Sequence, residues 1–266
     1  MKASRKLIVY PTQRLVATAV AERLLLHMND LLCAGKDRVN IAVTGGTDGN
    51  AILRALGTSE LVRVVDWSKV HVWWGDERFV PRENEDRNAL QARDAVFDAL
   101  VQQGLMSEAQ IHEMPADPRT PQEIEEANDE DNIRLLADAA AMYQEELESE
   151  IGPEAAMDVA MFGLGPDGHF ASLFPDRREV LIDDPEVLVT GVADSPKMPP
   201  LRLSFTVPMI ARSAQTWICA TREQKAQAVA HTFEQVDDVS YPASFARSTE
   251  QTLWLADPAA ASLVCH

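Results

Sequence analysis

What the chain has little of narrows its function first. Only three of 266 residues are cysteine. Cys33, Cys219 and Cys265 are far apart, odd in number and free of CxxC spacing, so they build neither a disulfide framework nor a zinc cluster. No local run of histidine, cysteine and carboxylate has ligand spacing, so no metal and no cofactor is expected. Basic residues are scarce too, 24 Lys and Arg against 42 Asp and Glu, for a net charge of −18. A nucleic-acid partner needs clustered basic side chains and is therefore excluded. An anionic small-molecule substrate would need a local basic pocket working against the field of the whole molecule. There is no eighteen-residue apolar span, and the four apolar residues before Pro11 are too few for a signal-peptide core. The expectation is a soluble, cytoplasmic protein with no membrane partner.

What is present reads as folded and globular, with 46% hydrophobic and 25% charged residues. Repeats, low-complexity linkers and composition shifts are missing, so residues 1–266 are expected to form a single domain, and nothing marks an obligate interface, so a monomer is expected. Strand-like apolar runs alternate with helical patterns. Leu7–Tyr10, Val39–Thr44, Val70–Trp74, Val159–Phe162, Val187–Val192, Leu201–Thr206, Gln215–Ala220 and Leu253–Ala256 read as strands. Between them, helices are expected over Thr12–Ala34, Asn50–Leu56, Asn88–Val101 and the stripe from Ile133 to Leu147, with others starting near Thr221 and at Pro258. This alternation predicts an α/β fold, a doubly wound and mostly parallel sheet flanked by helices, Rossmann-like in plan. The acidic run Glu123–Asp131 reads as a solvated helix start or loop.

Chemistry concentrates where three strands end. Val159–Phe162 runs into Gly163-Leu-Gly-Pro-Asp-Gly-His169, a tight turn that sets one histidine among glycines with Asp167 two residues away. A neutral imidazole oriented by a carboxylate suits proton abstraction from water near pH 7. The other histidines, His27, His71, His112, His231 and His266, sit in helix or strand patterns or at the terminus and read as chemically idle. Val39–Thr44 leads into Gly45-Gly46-Thr47-Asp48-Gly49, which is either a helix N-terminus presenting N–H groups to an anion or a tight turn with no ligand. Val70–Trp74 opens into Gly75-Asp76-Glu77-Arg78-Phe79-Val80-Pro81, where a surface ion pair is the competing reading for Asp76 or Arg78. Lys225, at the start of a helix beyond a strand end, is either solvated or placed to reach a phosphate. Gly163 to Gly168 also matches GxGxxG, but Pro175 limits any following helix to about one and a half turns, too short for a dinucleotide crossover.

Four stretches taken together resemble the 6-phosphogluconolactonase family: Thr44–Thr47, Trp74–Pro81 (WGDERFVP), Gly163–Pro175 (GLGPDGHFASLFP) and the PPLRLSFT…REQK pair ending at Arg202 and Lys225. The related glucosamine-6-phosphate deaminases have DEY where this chain has Asp76-Glu77-Arg78. They also have a catalytic glutamate where it has Phe174. The resemblance implies hydrolysis of 6-phospho-D-glucono-1,5-lactone to 6-phosphogluconate. His169 would be the base, Asp167 its orienting partner and Arg78 a charge stabiliser. Gly45, Gly46, Thr47, Asp76, Gly168, Arg202 and Lys225 would bind the substrate, with the 6-phosphate on Gly46, Thr47, Arg202 and Lys225. Many relatives continue the glycine loop as Gly-Gly-Ser-Thr-Pro. Asp48 departs from that pattern and sets a carboxylate near the expected phosphate. The competing readings are a deaminase or isomerase of the same fold, a non-catalytic sugar-phosphate sensor, and a dehydrogenase.

Overall fold

The computed structural model describes residues 4–265, so His266 lies outside the described residues. Its ten strands are β1 (Ser4–Val9), β2 (Val39–Val43), β3 (Val70–Trp74), β4 (Asp76–Arg78), β5 (Ile111–His112), β6 (Val159–Gly163), β7 (Val189–Val192), β8 (Arg202–Phe205), β9 (Gln215–Ala220) and β10 (Gln251–Ala256). Seven of them form one sheet in the order β1-β10-β9-β6-β2-β3-β5, and every pairing in it is parallel. The chain leaves β2 towards β3 and β5 on one side, while β6, β9 and β10 extend the sheet on the other. The order reverses between β2 and β6, and at such a point the connecting loops part and leave a crevice beyond the strands' carboxyl ends. The first and last strands pair along their whole length, Ser4 with Gln251 through Val9 with Ala256.

Central strands must be apolar on both faces because helices cover both. Trp73 and Trp74 show this directly, since neighbouring residues in a strand point to opposite faces. Trp73 meets Tyr143 of the long helix Asp129–Ile151, whereas Trp74 packs edge-on against Phe97 in the helical stretch after Asn88. Both indoles are fully buried. The Tyr143 hydroxyl reaches the sheet backbone, accepting from Trp74 N at 2.9 Å and donating to His112 O at 3.0 Å. Two helices bracket the first crossover, α1 (Gln13–Cys33), capped by the Thr12 hydroxyl, and α2 (Gly46–Thr58).

Several expectations shift in detail. The helix after β2 begins within the glycine loop at Gly46, not at Asn50, because Gly46 adopts φ +71°, which lets the loop wind straight into α2. The stretch after Asn88 is helical to Gln102 but carries a π-turn at Arg93–Phe97. After His169 there is no helix: Ala171 sits at φ +48° and Phe170 bridges to Leu173. Residues 258–263 form turns, not a closing helix. The acidic run is solvated as expected. It ends one short helix, α3 (Pro121–Glu126), and opens α4 (Asp129–Ile151) with Asp129, Glu130 and Asp131 at its positive end. A feature absent from the sequence reading is a second sheet of three antiparallel strands, β4-β8-β7, tied to the end of β3 by the bond from Phe205 N to Gly75 O at 2.8 Å.

Candidate active site

Each glycine of the central turn answers to a particular neighbour. A methyl on Gly165 would overlap the His169 ring and Asp167 Oδ1, so only glycine lets the turn fold over its own histidine. Gly168 has φ +82°, and Tyr241, its ring first and then its Cα, lies where a side chain would go. Two backbone bonds close the turn, Gly165 N to His169 O at 2.9 Å and Gly168 N to Gly165 O at 3.0 Å.

His169 and Asp167 come together at 2.5 Å between Nδ1 and Oδ1. Burial lowers the histidine's pKa, outweighing the Asp167 carboxylate, which raises it. The imidazole is therefore neutral at pH 7 and donates Nδ1–H to the carboxylate, which leaves Nε2 with its lone pair. Burial acts to raise the Asp167 pKa, but the His169 bond and the charge of Lys197 win and hold it below the usual carboxylate range. Lys197 Nζ lies 3.1 Å from His169 Nδ1 and 3.4 Å from Asp167 Oδ1. Phe174 lies tilted against the ring, with centroids 4.8 Å apart and 33° between planes.

His169 faces a cavity of about 340 Å³ at the crevice. Gly45, Gly46, Thr47, Asp76, Arg78, Arg202 and Lys225 all line it. Asp167 and Gly168 do not; they sit behind His169 and shape its turn. Five cations line the cavity, Arg78, Lys197, Arg202, Arg222 and Lys225, against the carboxylates of Asp48 and Asp76. This is the local basic pocket that an acidic protein needs in order to hold an anion.

The supporting contacts divide the labour. Glu77 is fully buried and accepts from the backbone N–H groups of Arg78, Asn88 and Ala89 at 2.7–2.8 Å, with Arg87 nearby at 3.9 Å. Burial pushes its pKa up to about 7 against those donors. It ties the WGDER loop to the following helix and takes no part in the pocket. Asp76 accepts from Ser172 Oγ at 2.9 Å, so that buried hydroxyl is already committed and is no nucleophile. Arg202 donates to the carbonyls of Pro199, Met198 and Lys197 at 2.8, 3.0 and 3.2 Å. Its guanidinium therefore fastens the loop that carries Lys197 as well as facing the cavity. Burial and the neighbouring Arg78 lower its pKa to about 10.

Asp48 does not oppose an anion as its position in the sequence implied. Its oxygens accept from Thr221 Oγ1 and Lys225 Nζ, both at 2.6 Å, and Arg222 lies 3.7 Å away. It is almost fully buried and pins the β9 loop to the start of α2. Lys225 is not within the first turn of an α-helix but closes a short 3-10 turn, Glu223–Lys225, before α-helix Ala226–Glu234. Sequence reasoning missed Lys197, Arg222 and Asn88 as cavity residues. Lys197 stood in a proline-rich loop that reads as a connector, and Arg222 reaches the cavity from a backbone at φ +81°.

A histidine–carboxylate pair facing a cation-lined cavity at the carboxyl edge of a doubly wound sheet is the arrangement of an α/β enzyme. The chain belongs to the family of glucosamine-6-phosphate isomerases and 6-phosphogluconolactonases, whose family model matches residues 11–254. It is 37% identical to a 6-phosphogluconolactonase of Streptomyces coelicolor, over 98% of this chain and 95% of that one. A 6-phosphogluconolactonase of Mycobacterium tuberculosis is 35% identical over 97% of this chain and 98% of its own length. Among solved structures, the 6-phosphogluconolactonase of Trypanosoma brucei superposes with a TM-score of 0.82 at 20% identity, covering 99% of this chain and all of that one. A monomeric glucosamine-6-phosphate deaminase gives 0.75 at 14% identity, covering 97% and 99%. Those two likenesses establish the fold, and both branches share it.

Proposed function

We propose that the protein hydrolyses 6-phospho-D-glucono-1,5-lactone to 6-phosphogluconate with water activated by His169. Full-length identity to curated lactonases carries the choice of reaction. The His169–Asp167 pair facing a cation-lined cavity carries the mechanism. Nε2 of His169 takes a proton from water as the water oxygen attacks the lactone carbonyl. The tetrahedral oxyanion forms beside Lys197 and Arg78, whose charges favour it over the neutral carbonyl. Collapse breaks the bond to the ring oxygen, which receives the proton held on His169. Asp167 stays ionised and stabilises the imidazolium between the two transfers.

The 6-phosphate occupies the other side of the cavity, against the first N–H groups of α2 at Gly46 and Thr47 and the cations Arg222, Lys225 and Arg202. No acid stands at Phe174 to open and isomerise an amino sugar ring, which weighs against the deaminase reading. Among the described residues no helix is long and apolar enough to cross a membrane.

The test is consumption of freshly generated lactone by the native chain, by His169→Ala and by buffer alone, since lactones open unaided in water. The native rate should stand far above buffer, and His169→Ala should lower it by about two to four orders of magnitude. A native rate equal to buffer would remove the lactonase reading. Activity that survives the substitution would keep the reaction and discard the base.

A further inference from the structure

On the sheet face covered by α4, away from the cavity, imidazoles and carboxylates meet that the lactone chemistry does not use. His112 ends β5 and pairs with Trp73 of β3. His71 lies two residues before Trp73, hence on the same face. Helix α4 crosses that face and offers Glu146 and Glu150, four residues apart and so on one side of the helix. His112 Nδ1 bonds Glu146 Oε1 at 2.7 Å, and His71 Nδ1 lies 2.9 Å from His112 Nε2. One ligand atom each from His71, His112 and Glu150 fall within 4.8 Å of one another. His71 precedes the cavity residue Asp76 by five strand residues, about 16 Å of extended chain.

We infer that His71, His112 and Glu150 form a binding site for one divalent transition ion of the zinc and nickel class, with Glu146 as the carboxylate behind His112. Two imidazoles and a carboxylate are the donor set such ions prefer, with a fourth position left to water. Glu146 supplies what metal-binding histidines nearly always have, an acceptor for the other ring N–H, which fixes the tautomer and leaves Nε2 of His112 as the donor. The Trp73 indole stacks on His112 at 3.8 Å and 7°, holding the ring in place.

The two histidine rings meet edge to edge, 5.2 Å between centroids and 17° between planes, joined by one hydrogen bond. Replacing that proton by a metal with bonds of about 2.05 Å at a tetrahedral angle needs the nitrogens ~0.4 Å further apart and the two rings turned, by about 35° each if they share the change, to aim their lone pairs at the ion. His71 then carries its proton on Nε2 instead, so the neutral pair loses no net charge. Arg38 pairs with Glu150 at 3.0 Å, and its single positive charge is outweighed by Glu146 and Glu150. Glu150 is exposed and His71 half-buried, which gives an ion a way in.

The test is calorimetric titration of zinc chloride into the full chain after treatment with chelator, near pH 7.5. One equivalent should bind, and His71→Gln and Glu150→Gln should each weaken it at least tenfold. Glu146→Gln, which touches no metal, should weaken it about 10- to 100-fold. His169→Ala should bind zinc as the native chain does, placing the ion away from the catalytic pocket. Glu150 is exposed, so its variant tests the site without disturbing the fold. No saturable equivalent in the native chain, or binding unchanged by His71→Gln and Glu150→Gln, would overturn the inference.

Discussion

Gly165→Ala perturbs the catalytic pair without removing any functional atom. The added methyl would overlap His169 Nδ1 and Asp167 Oδ1, so the imidazole must move by about an ångström or the turn must open. Gly165 does not hold a left-handed backbone, so alanine is acceptable to the chain itself and the conflict is confined to the pair. A displacement of that size from the reactive geometry costs about 100-fold, roughly 2.7 kcal/mol of transition-state stabilisation. The loss should fall on kcat, since the phosphate contacts proposed for α2 and the β9 loop are untouched. Gly163→Ala, two residues away in the same turn, meets nothing within 4 Å and should leave the pair intact, with any change confined to KM. The assay is the initial rate of lactone loss for the three proteins, with thermal melts showing that all are folded. A folded Gly165→Ala chain with kcat within threefold of native would refute the reasoning, because the pair would then not need its observed geometry.

Four further outcomes follow from the contacts. The kcat/KM profile should fall on the acid side through a pKa below 6.5, because burial lowers that of His169 and only the neutral ring can accept a proton; an acid limb centred above 7 would contradict it. Lys197→Met removes a cation that depresses the His169 pKa, so that limb should move to higher pH while kcat drops about 10- to 100-fold; an unshifted limb would leave Lys197 without its role. Asp167→Asn should lower kcat by about three to four orders of magnitude with little change in KM, as the ring loses its fixed tautomer. Lys225→Ala should raise KM and also destabilise the fold by about 3 kcal/mol, because Asp48 is left buried without its ammonium. In Asp48→Asn with Lys225→Met, denaturation should show stability recovered while KM stays high.

The parallel sheet was legible because apolar runs such as Val39–Val43 and Val159–Phe162 can only be central strands buried on both faces. The small antiparallel sheet was not. Asp76–Arg78 is a three-residue strand whose sequence, DER, has no strand pattern; it exists because it pairs with Arg202–Ser204. Its extended form is set by tertiary pairing, not by propensity. The same holds after His169, where the sequence leaves room for a helix of about one and a half turns before Pro175, but Ala171 adopts positive φ and Phe170 bridges to Leu173.

The site was legible as far as its motifs are contiguous. His169 and Asp167 lie in one turn, so sequence reasoning could pair them. Asp48 and Lys225 are 177 residues apart, and only the fold makes them one unit. Read along the chain, Asp48 is a charge of the wrong sign at a phosphate loop. In the fold it is the counter-charge that lets Lys225 be buried and aimed at the cavity, since an ammonium taken out of water alone would lose its proton or leave the interior. The departure from the glycine-loop pattern and the lysine that ends the REQK stretch are therefore one feature. On the phosphate placement proposed above, the ligand would meet an ion pair at this end of the cavity, with Arg222 beside it as the less committed cation. Arg222→Ala should consequently raise KM more than its absence from the sequence motifs suggests, and leave stability nearly unchanged because its side chain is more than a third exposed. Phosphate-competition assays on the two single variants would separate the roles: equal losses of phosphate affinity would mean that Lys225, despite Asp48, still faces the ligand with its full charge.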